Sequence, residues 1–301
     1  MSRATLENTI FYSVAEYDNP DEITKPLRKT ANHFEIPLVF PIYGGETNRR
    51  HIDVKTSKMI PFWEQWLQEG REHCFFVDAR DTVFVDTPEN ILQTYNAMAP
   101  VGVLFNADKI GIAYPFMNEE VVSKIQQNYG ITGFVNSGMF AGRINTVLEL
   151  FRQSIEIAYS LARGDYSHPA LSHFDSTSKD AMRKHKEWIC LSDQFPIQML
   201  QCIGSELVQV DKNKKLLALF DGCYPSVQQR EREQSSGDCQ YIGEAAILHS
   251  PWMSKDVVQW NAWVESCVLG NSSMSLPCCG NLLTTNKRTM PITGNSANFV
   301  F

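Results

Sequence analysis

The sequence contains no apolar run that approaches the roughly 18 residues of a membrane-spanning helix. Residues 1–20 lack the basic start and the apolar stretch of a secretory signal. Cysteine is sparse, at 8 of 301 residues, and no CxxC pair is present, which argues against a structural zinc site. These absences predict a cytoplasmic protein, or one made in the cytosol of a host cell, with no membrane partner.

The composition is that of a globular chain. Hydrophobic residues make up 43% and charged residues 20%, which excludes a wholly disordered, collagen-like or coiled-coil chain. The 27 basic and 34 acidic side chains give a net charge of −7, which argues against general binding to a phosphate backbone but leaves room for a local basic groove. At about 150 residues per domain, the length allows two domains or one large α/β domain.

Short apolar runs, bounded by polar, Gly or Pro residues, alternate with stretches of helical periodicity. Strands are predicted at 9–15, 37–41, 74–77, 101–106, 133–135, 216–220 and 245–248. Helices are predicted at 55–68, 87–98, 145–162 and 193–201. Because strands and helices alternate, we expect an α/β fold with a mostly parallel central sheet flanked by helices.

Two segments depart from this alternation. Residues 164–186 are polar and have little periodicity, which predicts a long insertion loop of the kind that often serves as a lid or binding segment. Residues 270–301 are rich in Ser, Asn, Thr and Gly, which predicts an irregular C-terminal extension. The folded domain is therefore expected to span residues 1–269.

The strongest local signal is a pair of carboxylates directly after a buried strand. The apolar run Phe75–Val77 is followed by Asp78 and Asp81. In open α/β sheets, ligands collect at the carboxyl ends of the strands. Two hard oxygen ligands suit Mg²⁺ or Mn²⁺ carrying a phosphorylated ligand. The alternative is an ordinary turn whose side chains cap backbone amides.

A late apolar run, 245–248, ends in His249, and Lys255 follows six residues further on. His249 can complete a nitrogen- and oxygen-ligated Mn²⁺ site, and Lys255 can neutralise a diphosphate. The alternative is a hydrogen-bonded histidine at a strand end beside a solvent-exposed lysine.

Two further polar motifs each have a structural alternative. The Asn-Ser-Gly sequence of Asn136–Gly138 closes an apolar run, and is either a common turn sequence or a set of hydrogen-bonding groups for sugar hydroxyls. Asp193 and Gln194 open a predicted helix, which Ser192 or Asp193 can simply cap. The functional interpretation is that the carboxylate faces the reacting sugar or the acceptor.

Taken in order, these motifs resemble the glycosyltransferase domain of the procollagen lysyl hydroxylase and collagen glycosyltransferase family. The shared order is an N-terminal strand, a lysine on a helix, the acidic pair, a strand ending in Asn-Ala-Asp, then Asn-Ser-Gly, Asp-Gln and a late strand with a histidine. The resemblance runs from about residue 8 to about residue 255. It implies a single GT-A, Rossmann-like domain that uses a UDP-sugar and Mn²⁺ or Mg²⁺.

The resemblance implies a role for each matching position. Asp78, Asp81 and His249 would hold the metal. A larger set would bind the donor, comprising Val14, Glu16, Lys55, Asp78, Arg80, Asp108, Ser137, Gln194 and Lys255. The catalytic residues would be Asp193, as a stabiliser of the oxocarbenium-like sugar or as a base on the acceptor hydroxyl, and Asn136, which would hold sugar hydroxyls.

The chain departs from the family pattern in three places. Arg80 lies between the two metal carboxylates, where the family has an aromatic residue, although a guanidinium can also stack on a base. Ser192 precedes Asp193, where the family has a further acid. Ser-Pro-Trp follows His249 in place of Gly-Asn-Gly.

We therefore expect a metal-dependent hexosyltransferase that moves glucose or galactose from UDP-glucose or UDP-galactose to a hydroxyl on a protein or glycan. One alternative is transfer to a hydroxymethylated nucleic-acid base, for which the cations of residues 143–186 would supply a local basic strip, although such a strip is more often a solvated face. A sugar-1-phosphate nucleotidyltransferase is less favoured, since the loop after the first strand has no glycine-rich basic sequence. A binding or scaffold protein would have no need of three strand-end metal ligands. The oligomeric state is left open.

Overall fold

The computed structural model describes residues 2–15, 20–41, 53–108, 119–130, 134–190, 192–219, 245–250, 260–261 and 263–270. Several features of the sequence analysis lie outside the described residues: Glu16, Pro251, Trp252, Lys255 and all but the first residue of the predicted extension. The extension and the 1–269 domain boundary therefore stay predictions.

The described strands are β1 Thr9–Tyr12, β2 Leu38–Val39, β3 His73–Val77, β4 Thr82–Phe84, β5 Val103–Asp108, β6 Phe134–Arg143, β7 Val208–Val210, β8 Leu217–Leu219 and β9 Ile247–His249. The α-helices are α1 Pro20–Ile23, α2 Lys25–His33, α3 Ile60–Gln68, α4 Pro88–Met98, α5 Glu119–Tyr129, α6 Ile144–Arg163, α7 Pro169–Ser172, α8 Ser176–Lys184, α9 Lys186–Ile189 and α10 Gln194–Cys202. Two π-helical turns are Asp53–Ser57 and Val264–Val268.

These strands form two sheets. Six of them build the central sheet in the order β2-β1-β3-β6-β5-β7, and all except β6 run in the same direction. In a small second sheet, β9 lies between β4, to which it is antiparallel, and β8, to which it is parallel. The predicted α/β class, with a mostly parallel central sheet flanked by helices, is confirmed, and it is the layout expected of a GT-A, Rossmann-like domain.

The central sheet separates two cores, because successive residues of a strand point to opposite faces. Phe75 packs with side chains of α2 and α4, whereas its neighbour Phe76 packs on the face covered by α3, α6 and α10. On that second face, Trp63 donates to the Tyr12 hydroxyl at 3.1 Å and stacks on Phe151 with ring centroids 5.0 Å apart. Burial on both faces explains why the strands read as continuous apolar runs.

Three predicted helices are confirmed to within one residue at each end, as α4, α6 and α10. The fourth, predicted at 55–68, begins later. Lys55 lies in a π-helical turn, and α3 starts at Ile60, because Pro61 has no amide hydrogen and suits the first turn of a helix. Within the described residues, no helix combines the length and the apolar character needed to cross a bilayer.

The prediction of a loop at 164–186 is wrong, since the segment contains α7, α8 and the start of α9. The His168 ring accepts a hydrogen bond from the amide of Ala170, and Asp175 accepts one from the amide of Ser178, so that two short helices each have an N-terminal cap. Leu171 and Met182 bury their side chains. Because the segment is polar throughout, its sequence does not distinguish these capping residues from loop residues.

The sequence analysis also omits β4, β7, α1, α2 and α5 and predicts only a short β6. Strands of three residues are too short to show alternation, which explains β4 and β7. β6 continues to Arg143, so Asn-Ser-Gly lies inside a strand and the turn interpretation is wrong.

One face of α10 pairs with the backbone of β6 through three glutamines. β3 pairs with β6 only from Met139 onward, and the earlier part of β6 faces α10 instead. Gln198 donates to the carbonyl of Val135 at 2.9 Å, and Gln201 accepts from the amide of the same residue at 3.0 Å. Gln194 accepts from the amide of Ser137 at 3.2 Å. Because these glutamines are spaced i, i+4 and i+7, they share one helical face and take the place of a strand.

We expect Gln198→Ala to lower the free energy of unfolding by about 1–3 kcal/mol, because it leaves the buried Val135 carbonyl without its hydrogen bond. Urea denaturation measures the change. The control is Gln65→Ala, which removes an exposed glutamine that bonds only to Glu69 in the next turn of α3 and should cost less than about 0.5 kcal/mol. Equal stability of the two variants would contradict the proposed role of the α10 glutamines.

Candidate metal and donor site

The register of the two sheets brings Asp81 and His249 together. β3 ends at Val77, a turn carries the chain through Asp78 to Asp81, and β4 starts at the next residue. β4 pairs with β9 so that Thr82 lies opposite His249, and the amide of Ser250 donates to the Asp81 carbonyl at 2.7 Å. The backbone ladder, rather than a flexible loop, therefore sets the separation of the carboxylate and the imidazole.

Asp78, Asp81 and His249 form one ligand cluster. One ligand atom from each residue lies within 4.8 Å of the other two. The His249 Nε2 atom is 3.2 Å from Asp81 Oδ1 and 3.8 Å from Asp78 Oδ2. The closer pair is within hydrogen-bond distance, yet both of its atoms are buried without an aligned hydrogen-bond partner. Lone pairs aimed at a shared cation would have this geometry, so the three residues fit a divalent metal, and the imidazole favours Mn²⁺ over Mg²⁺.

Burial and mutual attraction control the charges of this cluster. Burial raises the pKa of Asp78, against the opposing effect of the Lys55 ammonium. Burial also opposes ionisation of Asp81, but His249 and Lys55 outweigh it and hold the pKa of Asp81 below its usual range. For His249, burial favours the neutral ring, but the Asp81 and Asp78 carboxylates outweigh it and raise the pKa of His249. Because a metal ligand must be the neutral imidazole, the raised pKa of His249 opposes metal binding there.

Gly138 makes room for the His249 ring. A Cβ atom on Gly138 would lie 2.1 Å from Cε1 of His249, far inside contact distance. The Gly138 carbonyl also accepts a hydrogen bond of 2.7 Å from the Asp78 amide. One glycine therefore contacts two of the three metal-ligand candidates.

A bulge in β6 places Gly138 there. Phe105 of β5 lies opposite Phe140, but the next residue, Asn106, lies opposite Asn136, so Ser137, Gly138 and Met139 have no partner in β5. The Asn136 side-chain oxygen accepts from the Gly138 amide at 2.8 Å and stabilises this bulge. Bulges of this kind are common beside active sites, where they redirect a side chain. In the sequence, the Asn-Ser-Gly motif indicated a turn, and in the structure the same residues form this bulge.

Lys55 links Asp78 to Asp193. Its Nζ atom lies 2.6 Å from Asp78 Oδ1 and 3.5 Å from Asp193 Oδ2, above the ring of Phe76. All three charged side chains are largely shielded from solvent, with side-chain exposures of 12% for Lys55, 23% for Asp78 and 9% for Asp193. The structure therefore places the expected catalytic carboxylate next to the metal cluster.

The capping alternatives for α10 are resolved by its first turn. The Ser192 hydroxyl accepts from the Phe195 amide at 3.2 Å, whereas Asp193 makes no side-chain cap hydrogen bond. Ser192 is thus the cap, and the Asp193 carboxylate is directed to Lys55. Gln194, expected to bind the donor, instead uses its side-chain oxygen to hold the Ser137 amide.

Three other predicted residues lie near the same edge of the central sheet. Val14 is buried just after β1, Arg80 is half-buried between Asp78 and Asp81, and Asp108 is the last residue of β5. Asn106, which the sequence analysis does not assign to the site, is buried at the bulge, with both amide atoms lacking a hydrogen-bond partner within the described structure. A buried side-chain amide without a partner is costly. The sequence signal for Asn106 was its place at the end of a predicted strand, in the Asn-Ala-Asp sequence.

Comparison with known proteins gives likenesses among solved structures but no match to a family model or to a curated sequence. Among solved structures, the chain is similar to a glycosyltransferase involved in the glycosylation of the major capsid of PBCV-1, with a TM-score of 0.38 and 9% identity over 85% of this chain and 98% of that chain. The resemblance to the procollagen lysyl hydroxylase family stays a prediction.

We expect Gly138→Ala to weaken Mn²⁺ binding at least tenfold, because the new methyl group occupies the position of the His249 ring. Isothermal titration with Mn²⁺ measures the affinity, and near-ultraviolet circular dichroism checks the fold. The control is Gly142→Ala on the same strand, where the nearest atom to the new Cβ would be a Val147 methyl at 3.2 Å. Normal Mn²⁺ affinity in Gly138→Ala would show that His249 is not held in place by this contact.

Proposed function

We propose that the protein is a metal-dependent glycosyltransferase that uses a nucleotide-sugar donor, with UDP-glucose and UDP-galactose as the first candidates. The observation that carries the proposal is the convergence of Asp78, Asp81 and His249 at the carboxyl end of the central sheet, where the buried ligand atoms of Asp81 and His249 have no aligned hydrogen bond. Ligands bind at this end of open α/β sheets. A buried polar group without a partner is destabilising unless a ligand satisfies it.

A bound Mn²⁺ or Mg²⁺ would act as a Lewis acid on the donor diphosphate. Asp78, with 23% of its side chain exposed, is the ligand open to an incoming diphosphate. Lys55 beside it supplies a fixed positive charge where negative charge builds on the leaving group.

Asp193 is the proposed base for the acceptor. In the reaction, the bond from the anomeric carbon to the diphosphate oxygen breaks, and a bond from the acceptor oxygen to that carbon forms. The acceptor proton passes to the Asp193 carboxylate, and UDP leaves with the bonding electrons. Lys55, 3.5 Å away, favours the ionised carboxylate before the transfer. Asn106 and Asp108, at the end of β5, are the candidates for holding hydroxyls of the donor sugar.

The charge pattern favours a protein or glycan acceptor over a nucleic-acid base. Among the cations expected to form a basic strip, Arg152 pairs with Glu64 at 2.7 Å, and Arg183 pairs with Asp180 and packs over the Tyr166 ring. Cations already paired with carboxylates on the protein release fewer counterions from a phosphate backbone.

The decisive measurement is thermal stability with a panel of nucleotide sugars, with and without Mn²⁺. A donor that binds only the native state stabilises it by about 2.7 kcal/mol at one hundred times its Kd. We expect a Mn²⁺-dependent rise in melting temperature with a UDP-sugar, and loss of that rise in Asp81→Ala. The matched control is Asp180→Ala, which removes an exposed carboxylate on α8. No shift with any donor, or a full shift in Asp81→Ala, would refute the proposed metal-dependent donor site.

We expect Asp193→Asn to retain the donor-dependent thermal shift but to slow transfer by about 10²- to 10⁴-fold, the range for loss of a general base. Release of UDP and formation of glycosylated acceptor give the rate. The neighbouring Ser192→Ala removes the helix cap and serves as the control for damage to α10. Transfer at the normal rate in Asp193→Asn would remove Asp193 from the catalytic role.

A further inference from the structure

The first metal-ligand candidate already holds a cation from the protein itself. The Lys55 ammonium lies 2.6 Å from Asp78 Oδ1, the distance of a strong charge-assisted hydrogen bond. The other oxygen of the same carboxylate faces His249 at 3.8 Å. A metal that binds Asp78 must therefore share its carboxylate with a positive charge.

The ammonium has a second carboxylate within reach. Asp193 Oδ2 lies 3.5 Å from Nζ, and the side chains of Lys55 and Asp193 are 12% and 9% exposed. Poor access to solvent weakens dielectric screening, so attraction and repulsion among these charges are stronger than at the surface. Without metal, the Lys55 ammonium therefore lies near two carboxylates: that of Asp78, in the ligand cluster, and that of Asp193, at the start of α10.

A divalent cation next to Lys55 creates a repulsion that the carboxylates alone do not remove. Two cations that share the Asp78 carboxylate lie only a few ångströms apart in a shielded site. A nucleotide diphosphate changes this balance, because its oxygens can pair with the metal and with the ammonium together. The charge of Lys55 therefore opposes metal binding when no nucleotide is bound and supports it when a nucleotide diphosphate is bound.

We propose that Lys55 is an internal counter-cation for the metal site: it competes with the divalent metal for Asp78 in the free protein and transfers to the donor diphosphate when metal and nucleotide bind together. The inference rests on the proposed function and adds to it an order of assembly. Metal alone binds weakly, nucleotide alone binds weakly, and each strengthens the other. By linkage, the factor by which UDP tightens Mn²⁺ binding equals the factor by which Mn²⁺ tightens UDP binding.

The test is the affinity of Mn²⁺ in Lys55→Met, measured by electron paramagnetic resonance of free Mn²⁺ without nucleotide and again with saturating UDP. Methionine approximates the unbranched stem of lysine and lacks its ammonium group. We expect Lys55→Met to bind Mn²⁺ alone at least fivefold more tightly than the wild type, but more weakly than the wild type in the presence of UDP. For the wild type, we expect UDP to tighten Mn²⁺ binding by about 5- to 150-fold. The same factor should fall several-fold in the variant.

Two control variants separate the local charge from other effects. Lys55→Arg retains a cation and should bind Mn²⁺ alone as weakly as the wild type. Lys179→Met removes one half-buried positive charge on α8, which donates to the Ser172 carbonyl at 3.3 Å, and should leave both affinities unchanged. Circular dichroism checks that each variant is folded, and Lys55→Gln replaces Lys55→Met if methionine prevents folding.

The outcomes distinguish this inference from the proposed function. If the wild type binds Mn²⁺ and UDP together, but Lys55→Met binds Mn²⁺ alone no more tightly than the wild type, the counter-cation role is overturned and the metal site remains. If the wild type binds no Mn²⁺ with or without UDP, the metal site and the inference both fail.

Discussion

The contact between Gly138 and the His249 ring is the constraint on which the geometry of the site depends. It joins the bulge of β6, in the central sheet, to the end of β9, in the small sheet. The same glycine accepts the Asp78 amide hydrogen bond, so a shift of the bulge would move both a carboxylate and the imidazole. The backbone pairing of β4 with β9 then fixes the position of Asp81, which directly precedes β4. Three ligand candidates from distant parts of the chain are thus fixed by backbone pairing, as a preorganised metal site requires.

Some buried polar groups of the molecule have hydrogen-bond partners, and others have none in the described part of the chain. The buried glutamines of α10 have backbone partners on β6, and Asp211 accepts three backbone amides around the start of β8. Buried atoms of Asp81 and His249 have no aligned partner within the described structure, but the same holds elsewhere, for example at the Tyr166 hydroxyl. An unpaired buried group reduces stability wherever it lies. The candidate site is distinguished by the meeting of three possible metal ligands, which unpaired groups elsewhere among the described residues do not share.

The sequence predicted what depends on local pattern and missed what depends on contacts between distant segments. Strand β3, the carboxylates after it and helices α4, α6 and α10 all have local signals, and they appear where expected. The role of Gly138 has no such signal, because it concerns the space beside a histidine far along the chain and not the backbone conformation of the glycine. The link from Lys55 to Asp193, across two elements, is equally invisible to spacing. Ser192 and Asp193 were equal candidates for the cap, and only the positions of their oxygen atoms decide between them.

Helix α10 connects the proposed base, Asp193, to the proposed metal ligands. Its glutamines attach it to β6 at Val135, just before the bulge that positions His249, and at Ser137, inside that bulge. Its first turn carries Asp193, whose carboxylate reaches Lys55 and, through it, Asp78. The distance from the proposed base to the proposed metal ligands is therefore set by a helix bonded to the central sheet. Since misplacement of reacting groups by about 1 Å can reduce a rate a hundredfold, a rigid connection between base and metal is what a transferase with this arrangement needs, and the glutamine face of α10 supplies it.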